Sequence, residues 1–265
     1  MLEVVVNISE GRDLTMLEDW ASRLSPACLD LHTDPDHHRS VFTLVGEFAP
    51  RLLARLACEH LDLRRHRGVH PRIGVVDVVP FVPLVGSTMA DAVAARDRFA
   101  RWAWRELAVP SFLYGPERTL PDIRRHAFVD LEPDVGTLPA HPSAGAMAVG
   151  ARSVLVAYNL WLDRNDLALA RTIASSVRSA AVRTLGLQVG SAVQVSCNLI
   201  DPGLVGPARV YDVVAAEAEQ HGMSIARAEL VGLIPKVVLD RIDPARWSEL
   251  DLSPERTIEG RLRAR

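Results

Sequence analysis

The order of strand-like and helix-like segments limits the fold of this chain more than any other sequence feature. Two parts of the chain show the same order, strand, helix, strand, strand, helix, strand, which is the split βαβ arrangement. In the first part these segments lie at residues 2–8, 13–24, 27–34, 39–47, 50–63 and 73–79. In the second part they lie at residues 154–160, 166–184, near 187, and at 192–199, 207–221 and 224–231. The sequence therefore predicts two related α/β (α+β) subdomains of βαββαβ type.

A stretch in which the periodicity fades separates the two parts. A helix at 88–107 and a strand at 111–114 precede it, and residues 133–145 contain three prolines and two glycines. A long loop of this kind inside a compact protein is either functional or a linker. We therefore expect subdomains at 1–145 and 146–265, with a ligand groove between their sheets.

Composition and charge exclude several classes of protein. Of the 265 residues, 48% are hydrophobic and 24% are charged, which is globular composition and not that of a disordered or coiled-coil chain. No apolar run reaches the roughly 20 residues of a membrane helix, and no basic signal region opens the chain. Three widely spaced cysteines indicate neither a disulfide framework nor a cysteine zinc site. With a net charge of −3, we expect a cytoplasmic protein that binds neither membrane nor nucleic acid.

Positive charge is concentrated between residues 51 and 72. Six arginines against two acidic residues give this stretch a formal charge of +4, which favours a small anionic ligand. For Arg51 and Arg55 alone, a solvated helix face is the simpler explanation. The segment from Arg64 to Arg72 differs, because it lies beyond the predicted helix.

His70 is the main candidate for chemistry. It precedes Pro71, which favours an extended backbone, and Gly68 and Gly74 allow other groups to approach closely on either side. An imidazole with an unperturbed pKa of about 6.5 suits general acid/base work on an amine near neutral pH. A surface or capping histidine has the same local pattern, so both interpretations stay open on these residues alone.

Two other kinds of site compete with this interpretation. Histidines and aspartates between His32 and His70 offer nitrogen and oxygen ligands, but their spacing matches no metal-ligand pattern. No Gly-x-Ser-x-Gly motif is present, and no cysteine has a basic motif around it. The sequence therefore predicts neither a metal site nor a nucleophilic enzyme.

Motifs along the whole chain resemble those of one family. They are VNISEGR at 6–12, RSVFTLVG at 39–46, HRGVHPRIG at 66–74, FLYG at 112–115, TLP at 119–121, PDVG at 133–136, HPSAG at 141–145, GAR at 150–152, VSCNLID at 195–201 and LVGLIP at 230–235. In these motifs the chain is similar to the formiminotransferases, including the transferase part of the bifunctional transferase-cyclodeaminase. The resemblance implies that tetrahydrofolate, as co-substrate, and N-formimino-L-glutamate exchange a formimino group, a step of histidine catabolism and one-carbon metabolism.

The resemblance also implies site residues. His70 is the second histidine of the motif His-x-Gly-x-His-Pro-Arg and inherits the catalytic role. Arg39 and Arg72 are expected to hold carboxylates of glutamate and of the folate tail through paired hydrogen bonds, with a strand-end ion pair as the alternative for Arg39. Asn7 and Glu10 are the other expected substrate-binding residues.

A loop corresponds to the folate-binding segment of the family. Small residues and prolines can frame a flat slot for the pteridine ring. The segment consists of Gly136, Thr137, Leu138, Pro139, Ala140, His141, Pro142, Ser143, Ala144 and Gly145. We expect tetrahydrofolate to bind here, and no metal to take part.

The chain departs from the family at some positions. Where the family has an acidic residue that can orient the catalytic histidine, this chain has His32, flanked by Asp30 and Asp34, so the orienting partner stays open. The loop after Tyr114 is shorter than in the family. Two alternative functions follow: a relative with a different formimino donor or acceptor, or a catalytically silent subunit that binds folate or a partner. In each case we expect small-molecule ligands and a homodimer.

Overall fold

The computed structural model describes residues 1–68 and 71–264. They divide into two units, Met1–Ser153 and Val154–Arg265. The division falls later than the expected boundary after residue 145. The reason is that residues 147–151 form a strand of the first sheet, so the chain leaves the first unit only after it.

The first unit contains six strands and four α-helices within the described residues. In chain order they are β1 (Leu2–Ile8), α1 (Leu14–Arg23), β2 (Cys28–Asp34), β3 (Arg39–Val45), α2 (Ala49–His60), β4 (Val76–Pro83), α3 (Met89–Leu107), β5 (Ser111–Tyr114), α4 (Leu120–His126) and β6 (Met147–Ala151). A short 3-10 helix at Leu63–Arg65 lies between α2 and β4. The sheet order is β2-β3-β1-β4-β6-β5.

The second unit contains a smaller sheet. Its elements are β7 (Val156–Leu162), α5 (Leu167–Ser176), β8 (Val182–Val189), β9 (Ala192–Leu199), α6 (Pro207–Gln220), β10 (Ile225–Val231), α7 (Lys236–Leu239) and α8 (Ile258–Arg263). The sheet order is β10-β7-β9-β8, and all its strand pairs are antiparallel.

The two sheets share one strand order. In the first unit the four strands of the βαββαβ segment lie in the order β4-β1-β3-β2, and the second unit has the same relative order, β10-β7-β9-β8. The first unit then adds β6 and β5 beside β4, both in parallel pairs. The predicted fold class, two related α/β subdomains, is confirmed.

Alternation along the strands builds the main core of the first unit. Val4 and Val6 of β1 are fully buried, and they share one apolar cluster with Leu17 of α1, Leu53 of α2 and Phe99 of α3. Because side chains alternate across a strand, the residues between them belong to the opposite face of the sheet.

Helix α4 covers part of that opposite face. Its Ile123 packs with Val78 of β4, Phe112 of β5 and Ala148 of β6 in a separate apolar cluster. Val79, the next residue of β4, belongs to the main core. The first sheet is thus covered on both faces near β4, β5 and β6, and Arg124 of α4 reaches the start of β4.

Three elements differ from the sequence prediction. Helix α4 and strand β6 lie in the stretch where the periodicity fades, and neither was expected there. A capping box, formed by Thr119 and Asp122, does mark the start of α4. Helix α5 ends at Ser176 and not near 184, because the β-branched residues from Val182 onward belong to β8.

Within the parts of the chain that the structure describes, none of the helices combines the length and the apolar character that crossing a bilayer requires.

We expect Ile123→Ala to lower the free energy of unfolding by about 2–5 kcal/mol, because the side chain is fully buried and its removal leaves a cavity under α4. Urea unfolding measures the change. Arg125→Ala, on the exposed face of the same helix, is the control and should cost less than about 0.5 kcal/mol. Equal stabilities of the two variants would contradict the described packing of α4.

Candidate functional site

Three segments of the first unit meet at the C-terminal end of β1. The backbone N–H and hydroxyl of Ser9 donate to the carbonyl oxygens of Val75 and Gly74, both at 2.8 Å. On the other side, the N–H of Ala146 donates to the Ile73 carbonyl at 2.9 Å, and the Val75 N–H donates to that of Ala144 at 2.9 Å. These hydrogen bonds join three segments: the end of the proline-glycine loop (residues 133–145), the segment before β4 and the end of β1.

Glu10 closes the turn between β1 and α1. Its Oε1 accepts hydrogen bonds from the backbone N–H groups of Gly11, Arg12 and Asp13 at 2.9, 2.6 and 3.1 Å. Burial alone would raise the pKa of Glu10, but these backbone hydrogen bonds and the nearby His38 ring lower it below its usual value. The carboxylate is therefore held charged at the centre of the turn.

His38 links this carboxylate to the segment from Arg64 to Arg72, which is called the basic motif below. Its Nε2 lies 3.0 Å from Glu10 Oε1, and its Nδ1 lies 3.1 Å from the carbonyl oxygen of Arg67. Since both neighbours are hydrogen-bond acceptors, this arrangement suits a ring with a proton on each nitrogen. His38 thus bridges the Glu10 carboxylate and the Arg67 carbonyl.

His66 stacks on His38. The ring centroids are 4.1 Å apart with an interplanar angle of 20°, and His66 Nε2 lies 2.9 Å from the carbonyl oxygen of His38. Burial lowers the pKa of His66, and the positive charges of Arg72 and His38 lower it further. The lowered pKa favours the neutral ring, and its proton then lies on Nε2, which faces a carbonyl oxygen.

Gly68 lies where these groups approach most closely. A Cβ atom at this position would lie 2.7 Å from the carbonyl oxygen of His37, 2.8 Å from Cβ of His38 and 2.9 Å from Cε1 of His66. The Gly68 carbonyl accepts a hydrogen bond of 2.6 Å from the Arg72 guanidinium. Only glycine fits here without moving the stacked rings.

His70, the predicted catalytic residue, lies outside the described residues, as does Val69. The structure does describe the groups on both sides of it, Gly68 and Arg72. The predicted role of His70 stays a prediction.

The two predicted arginines lie near one buried carboxylate. Asp77 is buried, and its charge acts on both Arg39 and Arg72. Arg124 of α4 binds this carboxylate through two hydrogen bonds, one of them 2.7 Å long. Neither Asp77 nor Arg124 was predicted as a site residue. The hydrophobic periodicity of the sequence predicted no helix at 120–126. The sequence therefore did not indicate that Arg124 would reach β4.

Asn7 lies one residue before the end of β1. Its side-chain amide donates to the Val5 carbonyl at 3.1 Å, along its own strand. Its Cα pairs with Val41 of β3 and Val78 of β4. Asn7 therefore lies on the sheet face opposite the main core, next to the part of β4 that carries Asp77.

The predicted folate segment is held at both ends and exposed in its middle. At its start, Val135 pairs with Ser111 of β5, and at its end Gly145 pairs with both Gly74 and His141. Residues 137–139 are exposed, whereas Ala144 is 1% exposed and belongs to the main core. The exposed middle of the loop is the part that a ligand could contact, and the Ala144 side chain is not.

His141 gives the loop its internal order. Its Nδ1 accepts hydrogen bonds from the backbone N–H groups of Ser143 and Ala144 at 3.3 and 3.0 Å. The Ser143 carbonyl in turn accepts the N–H of Leu63 at 2.7 Å. The loop is thus fastened to the turn that leads into the basic motif.

A cavity of about 180 Å³ lies beside the stacked histidines. Its lining includes Ser9, Glu10, His38, Asp62 and His66. With His60 and Arg65, which also line it, the cavity offers two carboxylates, three imidazoles and one guanidinium group within the first unit. Among residues 1–68 and 71–264, no group of three or more His, Cys, Asp or Glu side chains is arranged to hold a metal ion.

We expect His66→Gln to weaken the pH dependence of stability between pH 7.5 and 5.5. An unfolded histidine has a pKa of about 6.5, and the folded pKa of His66 is lower. As the pH falls through this window, the unfolded chain binds a proton that the folded chain does not, so the wild-type protein loses stability. Urea unfolding at the two pH values measures the loss. His221→Gln, at an exposed position after α6, should keep the wild-type difference; an unchanged pH dependence in His66→Gln would contradict the neutral state.

We expect Gly68→Ala to cost on the order of 1–3 kcal/mol of stability, because the added methyl group collides with the His37 backbone and the stacked rings. Thermal unfolding and the imidazole NMR signals measure the effect. Gly203→Ala is the matched control, since its Cβ would contact only side-chain atoms, at 3.3 and 3.7 Å. Wild-type stability and unshifted imidazole signals in Gly68→Ala would be inconsistent with this packing.

Comparison with known proteins adds an independent line of evidence. The family model described as formiminotransferase domain, N-terminal subdomain, matches residues 1–152. Glutamate formimidoyltransferase of Streptococcus pyogenes serotype M1 is 32% identical over 278 residues, which cover 93% of this chain and 92% of the relative. That of Thermoplasma acidophilum is 32% identical over 284 residues, covering 93% and 91%. Formimidoyltransferase-cyclodeaminase of Rattus norvegicus is 33% identical over 280 residues, covering 91% of this chain and 51% of the relative.

Proposed function

The chain belongs to the formiminotransferase family, and on this premise we propose that it transfers a formimino group between N-formimino-L-glutamate and tetrahydrofolate. The observation that carries the proposal is the identity of 32% over nearly the whole length of a glutamate formimidoyltransferase. The predicted homodimer and the cytoplasmic location stay predictions.

General acid/base catalysis is the main requirement of the proposed reaction. The attacking amine must lose a proton, and the tetrahedral intermediate that forms must then expel the other amine, which takes up a proton as it leaves. One histidine can take and return this proton, and His70 is the residue to which we assign it. The formimino carbon is already electrophilic, and it keeps its oxidation state because one C–N bond forms as another breaks.

The hydrogen bonds of Glu10 support its proposed role in binding the substrate. Four donors, including His38 Nε2, already share Oε1 of Glu10. A substrate N–H would therefore bind to the second oxygen, Oε2. Asn7, with its amide on the same sheet face as the carboxylate of Asp77, is the second polar residue that we assign to the amino-acid substrate.

The loop at 136–145 is the proposed folate site. The exposed middle of the loop supports this assignment, since backbone groups and small side chains there are accessible to a flat ring. Its attachment to Leu63 and Ile73 brings the loop beside the basic motif. A pteridine on the loop would thus lie near the segment that carries His70.

Turnover by the purified protein tests the proposed function. N-formimino-L-glutamate and tetrahydrofolate are mixed with the protein, and the folate product is followed by its absorbance. Product formation at a rate proportional to enzyme concentration supports the proposal. Folate binding without turnover would favour a silent binding subunit, and turnover with another formimino donor alone would indicate a different substrate.

We expect His70→Ala to lower kcat by about two to four orders of magnitude, the usual contribution of a positioned acid/base group, with folate affinity little changed. Steady-state kinetics and folate titration measure the two effects. His126→Ala is the control, because this histidine is exposed and pairs with Asp130. A kcat of His70→Ala within threefold of the wild-type value would remove His70 from the mechanism.

A further inference from the structure

Two segments of the first unit hold each other through reciprocal hydrogen bonds. One is the turn between β2 and β3, which contains His38, and the other follows α2 and contains His66 and Arg67. The His38 ring binds the backbone of the second segment, since its Nδ1 lies 3.1 Å from the Arg67 carbonyl oxygen. The His66 ring binds the backbone of the turn, since its Nε2 lies 2.9 Å from the His38 carbonyl oxygen. We call this pair of contacts the histidine clamp.

His38 has an unusual backbone conformation. Its φ is +52°, in the left-handed region, which residues with a side chain seldom adopt. Residues in such conformations cluster at functional sites and persist only where the surrounding contacts determine them. For His38 these contacts are the stacked ring of His66, at a centroid distance of 4.1 Å, and the Glu10 carboxylate, 3.0 Å from Nε2. The ring and the carbonyl oxygen of His38 thereby both reach the segment at 66–67.

The turn that carries His38 is itself attached to the end of β1. Nε of Arg12 donates to the Pro35 carbonyl at 3.0 Å. Oγ of Ser40 donates to the Glu10 carbonyl at 2.6 Å. Both bonds join the turn to the residues that follow β1, so His38 extends the support of the sheet to the basic motif.

The clamp lies directly before the predicted catalytic residue in the chain. Arg67 precedes His70 by three residues, and Gly68 packs against the stacked rings. Beyond His70, the guanidinium of Arg72 donates to the Gly68 carbonyl at 2.6 Å. The two ends of the stretch 68–72 are thereby held together beside the clamp.

We propose that His38 and His66 are positioning residues for His70, whose clamp holds the basic motif where His70 can transfer protons. They act through the backbone of the motif and not through contact with the substrate. The sequence left the orienting partner of His70 open, and the clamp supplies that function. A displacement of about 1 Å can lower a rate about 100-fold, because proton transfer needs the ring within hydrogen-bond reach of the reacting nitrogen. The proposal rests on the proposed function, in which His70 carries the proton.

Loss of the clamp should lower kcat and leave folate binding nearly unchanged. The proposed folate segment is fastened to the chain on either side of the clamp residues, through Leu63 and Gly74. These contacts do not involve the rings of His38 and His66. A displaced proton-transfer group, in contrast, affects the transition state, so the effect should lie in kcat and not in the KM for tetrahydrofolate.

Replacement of His38 by asparagine or glycine removes the ring without straining the backbone. Both residues adopt the left-handed conformation more readily than other residues do, so the effect of His38→Asn and His38→Gly comes from the lost ring contacts. We expect kcat to fall about 10–100-fold in each, with the KM for tetrahydrofolate changed less than about threefold. Asp36→Asn, at an exposed position in the same turn, is the matched control and should keep the wild-type kcat. Wild-type kcat in both His38 variants would overturn the proposal.

Variants of His66 test the other half of the clamp. His66→Gln keeps a donor that can serve the His38 carbonyl, whereas His66→Ala keeps none. We therefore expect His66→Gln to retain more of the wild-type kcat than His66→Ala does. Equal kcat values in the two variants would remove this hydrogen bond from the clamp.

A double-mutant cycle separates positioning from a general loss of structure. If His38 acts through His70, His38→Asn lowers kcat in the wild-type background and leaves the residual rate of His70→Ala unchanged. Thermal unfolding verifies that each variant is folded at the assay temperature. An equal loss in both backgrounds would show a merely structural role of His38 and would overturn the proposal.

A measurement without turnover separates this proposal from the proposed function. The heteronuclear NOE of the His70 backbone amide reports the order of that residue on the picosecond-to-nanosecond timescale. We expect it to fall in His38→Asn and to keep its wild-type value in Asp36→Asn. A fall in a protein that does not turn over N-formimino-L-glutamate supports the clamp while the proposed function fails. An unchanged NOE together with an unchanged kcat would overturn the clamp while the proposed function stands.

Discussion

The close contact between Gly74 and Gly145 is the constraint on which the arrangement of the site depends. A Cβ on Gly145 would lie 2.9 Å from Cα of Gly74, and a Cβ on Gly74 would lie 2.8 Å from the carbonyl oxygen of Ala144. Gly145 also has a φ of +75°, which favours glycine. The contact brings the loop against the start of β4, and the hydrogen bonds of Ser9 then attach the end of β1 to the same place.

Electrostatics divides this end of the sheet into two regions. Around Glu10, a carboxylate accepts hydrogen bonds from backbone N–H groups and lies beside the His38 ring. Around Asp77, one buried carboxylate binds Arg124 and acts on Arg39 and Arg72. Gly68 lies between the two regions, since it contacts the stacked histidines and accepts the hydrogen bond of Arg72. Small rearrangements at Gly68 would therefore affect both regions together.

The sequence predicted the strands and long helices well because their periodicity reflects burial on one face. Strand β1 and helix α3 were expected at 2–8 and 88–107, close to their observed bounds. Helix α4 was missed because seven residues span too few turns to show a helical pattern. Part of the site was not predicted for a similar reason. Arg39 and Arg72 were predicted as anion-binding residues, but their relation to Asp77 depends on a register shift that no local pattern encodes.

Because α4 is short, the contact between Arg124 and Asp77 depends on the packing of the whole unit. A helix of seven residues does not persist alone in water, because nucleation costs more than so few hydrogen bonds return. Arg124 reaches Asp77 only while Ile123 is packed on β4, β5 and β6. Local opening of α4 would separate the guanidinium from its carboxylate before the main sheet unravels. Resistance of α4 to proteolytic cleavage would then report whether Arg124 is bound to Asp77.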